Sequence, residues 1–189
     1  MLIVALAIGL ALGIQAFVVK PYQIPSPSME PTLDVGERVL VNRFSFRLGG
    51  DPEIGDIVVF HPPSGAVNGK VCGAQKDARQ ACPEPTDEMA ETNFIKRVVA
   101  GPGDRLRIEN GVPIVNGEPP PDEDYIRPCG SGGGCDFPEE ITIPEDHYFM
   151  MGDNRGESAD SREWGPIPEK WMIGKAFLTY WPPGKIGTL

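Results

Sequence analysis

The sequence predicts a mainly β body behind one N-terminal apolar helix. Three observations carry that expectation. The 23 glycines and 21 prolines are many for 189 residues and follow no repeat period, which marks a turn-rich β architecture. Short runs of β-branched and aromatic residues recur between Gly and Pro. The first run, Leu2 to Val19, is uncharged over its 18 residues.

That run is roughly 27 Å long as a helix, near the lower limit for crossing the hydrocarbon core of a bilayer. A cleaved secretory signal fits less well. No basic residue precedes the run, and it outlasts the usual apolar region of about 7 to 15 residues. Residues 1–19 are therefore expected to form a transmembrane anchor in the lipid bilayer. Lys20 follows the run with no Lys or Arg before it, and by charge count alone that would put the body in the cytoplasm. The cysteines argue the other way. Cys72 and Cys82 bracket one loop, and Cys129 and Cys135 a Gly-rich one. Neither pair has the spacing of a zinc site, and two distant histidines do not complete one. Four cysteines allow three pairings, of which the local one, 72 with 82 and 129 with 135, closes two short loops. Disulfides belong to oxidising compartments, so the body is expected outside the cytoplasm.

Along the body, Arg38 to Val41, Asp56 to Phe60, Phe94 to Val99, His147 to Met151 and Lys175 to Tyr180 read as strands. Arg105 to Val115 reads as a hairpin, because Asn110-Gly111 suits a turn with positive φ. Thr86 to Asn93 is expected to hold at most one or two helical turns. The stretches Ser64 to Thr92 and Pro119 to Phe137 read as loops. This length accommodates one core with a small inserted subdomain. The net charge is −10 with the acids dispersed, which argues against nucleic acid, since phosphate neutralisation needs clustered Lys and Arg.

Three places could carry chemistry. Prolines 25, 27 and 31 stiffen the chain around Ser28, so its hydroxyl is presented in one pose. Nine residues past Val19 span at most about 30 Å, which keeps Ser28 near the headgroups. Ser26 could offer its hydroxyl to an oxyanion. On the strand 94–99, alternation puts Phe94, Lys96 and Val98 on one face and Ile95, Arg97 and Val99 on the other, so one cation tends inward. An exposed lysine has a pKa of about 10.4. To act as a base, Lys96 must be brought down by roughly 2 through burial, at about 1.4 kcal/mol per unit of pH. Lysine is also the base in Ser-Lys variants of the catalytic triad. In the polar block Gly152 to Arg162, Ser158 could hydrogen-bond and orient an amine, while Asp160 and Arg162 could pair and brace the loop. A Ser-His pair is disfavoured, because His147 lies in a strand pattern that suits packing.

Ile24 to Leu33, Gly55 to Phe60, Phe94 to Arg97 through Gly101-Pro102-Gly103-Asp104, and Gly152 to Arg162 resemble, in order, the successive boxes of bacterial type I signal peptidases. The resemblance implies Ser28 as nucleophile, Lys96 as general base, Ser26 as oxyanion donor beside the Ser28 N–H, and Ser158 as the hydroxyl that orients the lysine. It implies Asp160 with Arg162 as a bracing pair, and Asp153 and Arg155 as structural support. It further implies an antiparallel β-sheet catalytic core split over residues 20–104 and 145–189, with an inserted β-rich cap at 105–144 and no metal or cofactor. The body would lie on the outer face of a bacterial inner membrane, behind a single span. It would cut secreted preproteins at Ala-x-Ala-type sites. Two departures stand out: Gly156-Glu157 replaces a common Asp-Asn pair, and several members have two spans rather than one.

Overall fold

The computed structural model describes residues 4, 18–46, 50–67, 71–122, 124–130 and 135–189. Nearly all of the expected anchor therefore lies outside the described residues. Among the described residues no helix is long and apolar enough to cross a membrane. Val19, the last residue of the apolar run, opens a strand instead.

The strands are β1 (Val19–Gln23), β2 (Arg38–Asn42), β3 (Ile57–Phe60), β4 (Phe94–Ala100), β5 (Arg105–Glu109), β6 (Val112–Val115), β7 (Phe137–Thr142), β8 (His147–Met151), β9 (Ile167–Pro168), β10 (Met172–Trp181) and β11 (Gly187–Thr188). The large sheet runs β1-β2-β10-β3-β4-β8-β9, with β11 on β10, and every pairing is antiparallel. A second sheet, β6-β5-β7, is also antiparallel. Among the described residues the body holds little helix: one turn, α1 (Ser161–Trp164), and three 3-10 turns at Pro27–Met29, Glu169–Trp171 and Pro183–Lys185. The chain is thus mainly β, as its composition predicts. Over 86–93, where at most one or two helical turns are expected, the segment is bends and loop with an isolated bridge at Met89.

The large sheet is covered on both faces. Along β3, Ile57 and Val59 join a cluster with Ile24, Met29, Leu33 and Ala176. The alternate residues Val58 and Phe60 join another with Val98, Met150 and Trp164. Period-two side-chain alternation thus feeds two separate apolar layers through one strand. A third cluster, with Leu106, Ile108, Ile141 and Phe149, ties the second sheet to β4 and β8. In the β5–β6 hairpin, Glu109 pairs with Val112, and Asn110 and Gly111 both have positive φ, the geometry of a two-residue primed turn.

Some strands were not legible. β1 carries Pro21 and is only partly buried, so it shows no alternation. A proline is tolerated there because β1 is an edge. β7 falls partly in the expected loop, and of its residues only Ile141 is fully buried. The cysteines are joined in the local pairing, Cys72 to Cys82 and Cys129 to Cys135.

Candidate active site

Ser28 sits in the 3-10 turn Pro27–Met29, where a proline at the first helical position presets φ. Asn154, in the polar block 152–162, holds that turn. Its N–H donates to the Ser28 carbonyl at 3.1 Å, and its side-chain amide donates to the Pro27 carbonyl at 3.1 Å. Lys96 stands in the middle of β4, paired with Val58 of β3. Its face-mates Phe94 and Val98 belong to the aromatic cluster around Phe60 and Trp164, and its ammonium group lies 5.5 Å from the Phe94 ring centre.

The two side chains, 68 residues apart in sequence, meet with Lys96 Nζ 2.6 Å from Ser28 Oγ. Both are buried. Burial brings the lysine down to about 8; Asp160 and Asp153 oppose that fall, and Arg162 adds to it. Ser26 Oγ lies 3.3 Å from Ser28 Oγ and donates to it. The pair opens onto a groove of about 600 Å3, walled by Tyr22 to Ser26 on one side and Asn93 to Lys96 on the other.

The block 152–162 wraps the far side of the pair. Burial alone would raise the Asp160 carboxyl, but the Arg162 guanidinium holds it below the ordinary carboxylate range. Arg162 donates from Nε to Oδ1 at 2.7 Å and from Nη2 to Oδ2 at 2.8 Å. Asp160 Oδ2 also accepts the Gly152 N–H at 3.1 Å, and Asp160 caps α1. Arg155 donates to the Gly152 carbonyl at 3.0 Å and to the Gly111 carbonyl, linking the block to the second sheet. Asp153 accepts both ends of the Arg97 fork, at 2.9 and 2.7 Å, and the Thr32 hydroxyl at 2.5 Å.

Ser158 is placed differently from the role the sequence suggests. Among the described residues no hydrogen bond joins it to Lys96, and its Oγ is buried without a well-formed partner. It lies near enough to Asp160 to help keep that acid ionised. It also faces Gly152, where an added Cβ would collide with both the Ser158 hydroxyl and the Ser28 carbonyl. Neither histidine reaches the pair: His61 Nδ1 bonds the Ala90 carbonyl and His147 Nδ1 the Glu145 carbonyl. Among the described residues no cluster of His, Cys, Asp or Glu could hold a metal ion.

Four contributors escaped the sequence. Asn154 and Thr32 lie inside the recognised boxes, so their positions were visible but their partners were not. Arg97 was placed only on the face of β4 opposite Lys96, with no partner. Tyr125, whose ring stacks 4.2 Å from the Arg97 guanidinium, sits in a Pro-rich, acidic loop that offered no signal.

The fold and the site together define a mainly β protein that presents a serine hydroxyl to a buried amine in an open groove. The family described as "Signal peptidase, peptidase S26" matches residues 1–181. A probable signal peptidase I-2 of Synechocystis sp. is 37% identical over 189 residues, covering 97% of this chain and 72% of that protein. A signal peptidase I of Leptolyngbya laminosa is 36% identical over 187 residues, covering 98% and 80%. One from Pseudomonas aeruginosa is 33% identical over 227 residues, covering 95% and 72%. The chain belongs to the signal peptidase family and is a peptidase.

Proposed function

We propose that this chain is a membrane-bound endopeptidase that removes N-terminal signal peptides from exported preproteins, using Ser28 and Lys96 as a catalytic dyad. The observation that carries the reading is the 2.6 Å contact between Ser28 Oγ and a buried Lys96 amine in the groove wall. A lysine with a pKa of about 8 is neutral in an appreciable fraction of molecules near that pH and can then accept a proton.

Neutral Lys96 takes the Ser28 proton as Oγ attacks the scissile carbonyl. The Ser28 N–H and the Ser26 hydroxyl receive the oxyanion; losing one such donor costs about 3 to 4 kcal/mol in other enzymes. The lysine then protonates the leaving amine and activates water to release the acyl-enzyme. Asp160, braced by Arg162, holds Gly152 and the Ser158 segment against the dyad. Asp153 and Arg155 anchor the same block to β4 and to the second sheet. In this reading the core is residues 20–104 and 145–189, and residues 105–144 form its cap. Residues 1–19 anchor it in the bacterial inner membrane with the catalytic body outside, where the two disulfides are stable. Its substrates carry Ala-x-Ala-type sites.

The test uses detergent-solubilised protein and a precursor with an Ala-x-Ala site, comparing wild type with Ser28→Ala and Lys96→Met. Cleavage at that site by wild type alone supports the dyad. Equal cleavage by all three assigns the chemistry to other residues, and cleavage by none in folded protein removes the peptidase reading.

A further inference from the structure

Among the described residues that line the groove, only Lys96 and Glu157 can carry charge near neutral pH, since burial raises the Tyr22 phenol above its usual range. The other carboxylates around the dyad are neutralised: Asp153 by Arg97 at 2.7 Å and Asp160 by Arg162 at 2.7 Å. Glu157 is exposed and makes no ion pair among the described residues. Its backbone is nevertheless fixed, because its N–H donates to the Asn154 carbonyl at 3.1 Å. Asn154 in turn holds the Ser28 turn. A negative charge with no ion pair among the described residues is therefore tethered directly to the residue that supports the nucleophile turn.

We infer that Glu157 selects substrate by charge, favouring a basic residue and disfavouring an acidic one in the segment flanking the cut. The inference rests on the peptidase reading above. Attraction between exposed charges is weak and salt-screened, so the effect is a bias rather than a requirement. Exchanging Lys for Glu in the substrate reverses its sign and so about doubles it on a logarithmic scale.

The experiment measures kcat/KM of the full detergent-solubilised chain on peptides that share one Ala-x-Ala core. Lys, Gln or Glu is placed singly at each position flanking the cut. Wild type, E157Q and E157K are compared at low and high salt. At one or more positions the wild-type Lys-over-Glu ratio is expected to reach about three- to tenfold at low salt. It falls towards one in E157Q, reverses in E157K, and shrinks in high salt. A ratio identical in all three enzymes, or no discriminating position, overturns the inference while the peptidase reading stands. Failure of folded wild type to cleave even the Gln peptides overturns that reading and this inference with it.

Discussion

On β4 two adjacent cations leave the strand in opposite directions. Arg97 meets the Asp153 carboxylate with both arms of its fork, donates to the Gly55 carbonyl at 2.8 Å, and lies against Tyr125. Burial would lower its pKa, but the Asp153 hydrogen bonds and charge raise it overall. Lys96 is more deeply buried and meets only a neutral hydroxyl at hydrogen-bonding distance. Asp160 and Asp153 both lie close enough to pull on it, yet each is already engaged by an arginine, and desolvation prevails. Burial by itself does not decide whether a cation keeps its proton. Arg97 keeps its proton because a guanidinium does so at any site, whereas Lys96 can lose its own because the arginines take up the counter-charges that would otherwise hold it protonated.

The sharpest way to break this contrast is to put a permanent cation where the neutral amine belongs. Lys96→Arg cannot accept a proton near neutrality, and kcat/KM is expected to fall by at least about a thousandfold. Peptide cleavage alongside a thermal unfolding curve separates that loss from misfolding.

The next largest effect comes from freeing Asp160. Arg162→Met strands a fully buried carboxylate and is expected to cost about 3 to 5 kcal/mol in urea unfolding. It also removes the positive charge that helps lower Lys96. In wild type, kcat/KM should rise with pH through a midpoint near 8; in this variant the midpoint moves higher. An unmoved midpoint would show that Arg162 has no electrostatic part in setting the lysine.

Lys96→Met tests what the dyad costs the fold. The unfolded lysine titrates near its ordinary value of 10.5 and the folded one at about 8. Between those two values the unfolded chain binds the extra proton, so wild-type stability rises with pH across that window and is lowest below it. At pH 7 the methionine variant should be inactive yet more stable, by up to about 3 kcal/mol. The gain should vanish above pH 10.5. No gain at pH 7 would mean that the buried amine is better compensated than its contacts suggest.

The smallest effect is expected from Arg97→Lys. A point charge cannot reproduce the bidentate contact or the stacking on Tyr125, and the cost should be about 1 to 2 kcal/mol. The pH midpoint of catalysis should stay put, because Arg97 is not among the causes that lower Lys96.

Much was readable from local order. The alternation in Phe94 to Val99 marked a strand and put Lys96 and Arg97 on opposite faces. Asn110-Gly111 marked the β5–β6 turn. Prolines 25, 27 and 31 marked a stiff presentation of Ser28. These features depend on φ preferences and side-chain period, which act within a few residues. The segments β1 and β7 were not readable, because an edge strand with one thinly buried face leaves no periodic trace. The sequence by itself determined the β class, the turn chemistry and the residue types available for acid–base work. Only the tertiary structure decided that Ser28 and Lys96 touch, that Asn154 clamps the nucleophile turn, that Arg97 and not Lys96 receives Asp153, and that Ser158 packs against Gly152. Those outcomes depend on antiparallel pairing and loop closure between residues tens of positions apart, where burial and the supply of counter-charges are shared among several segments at once.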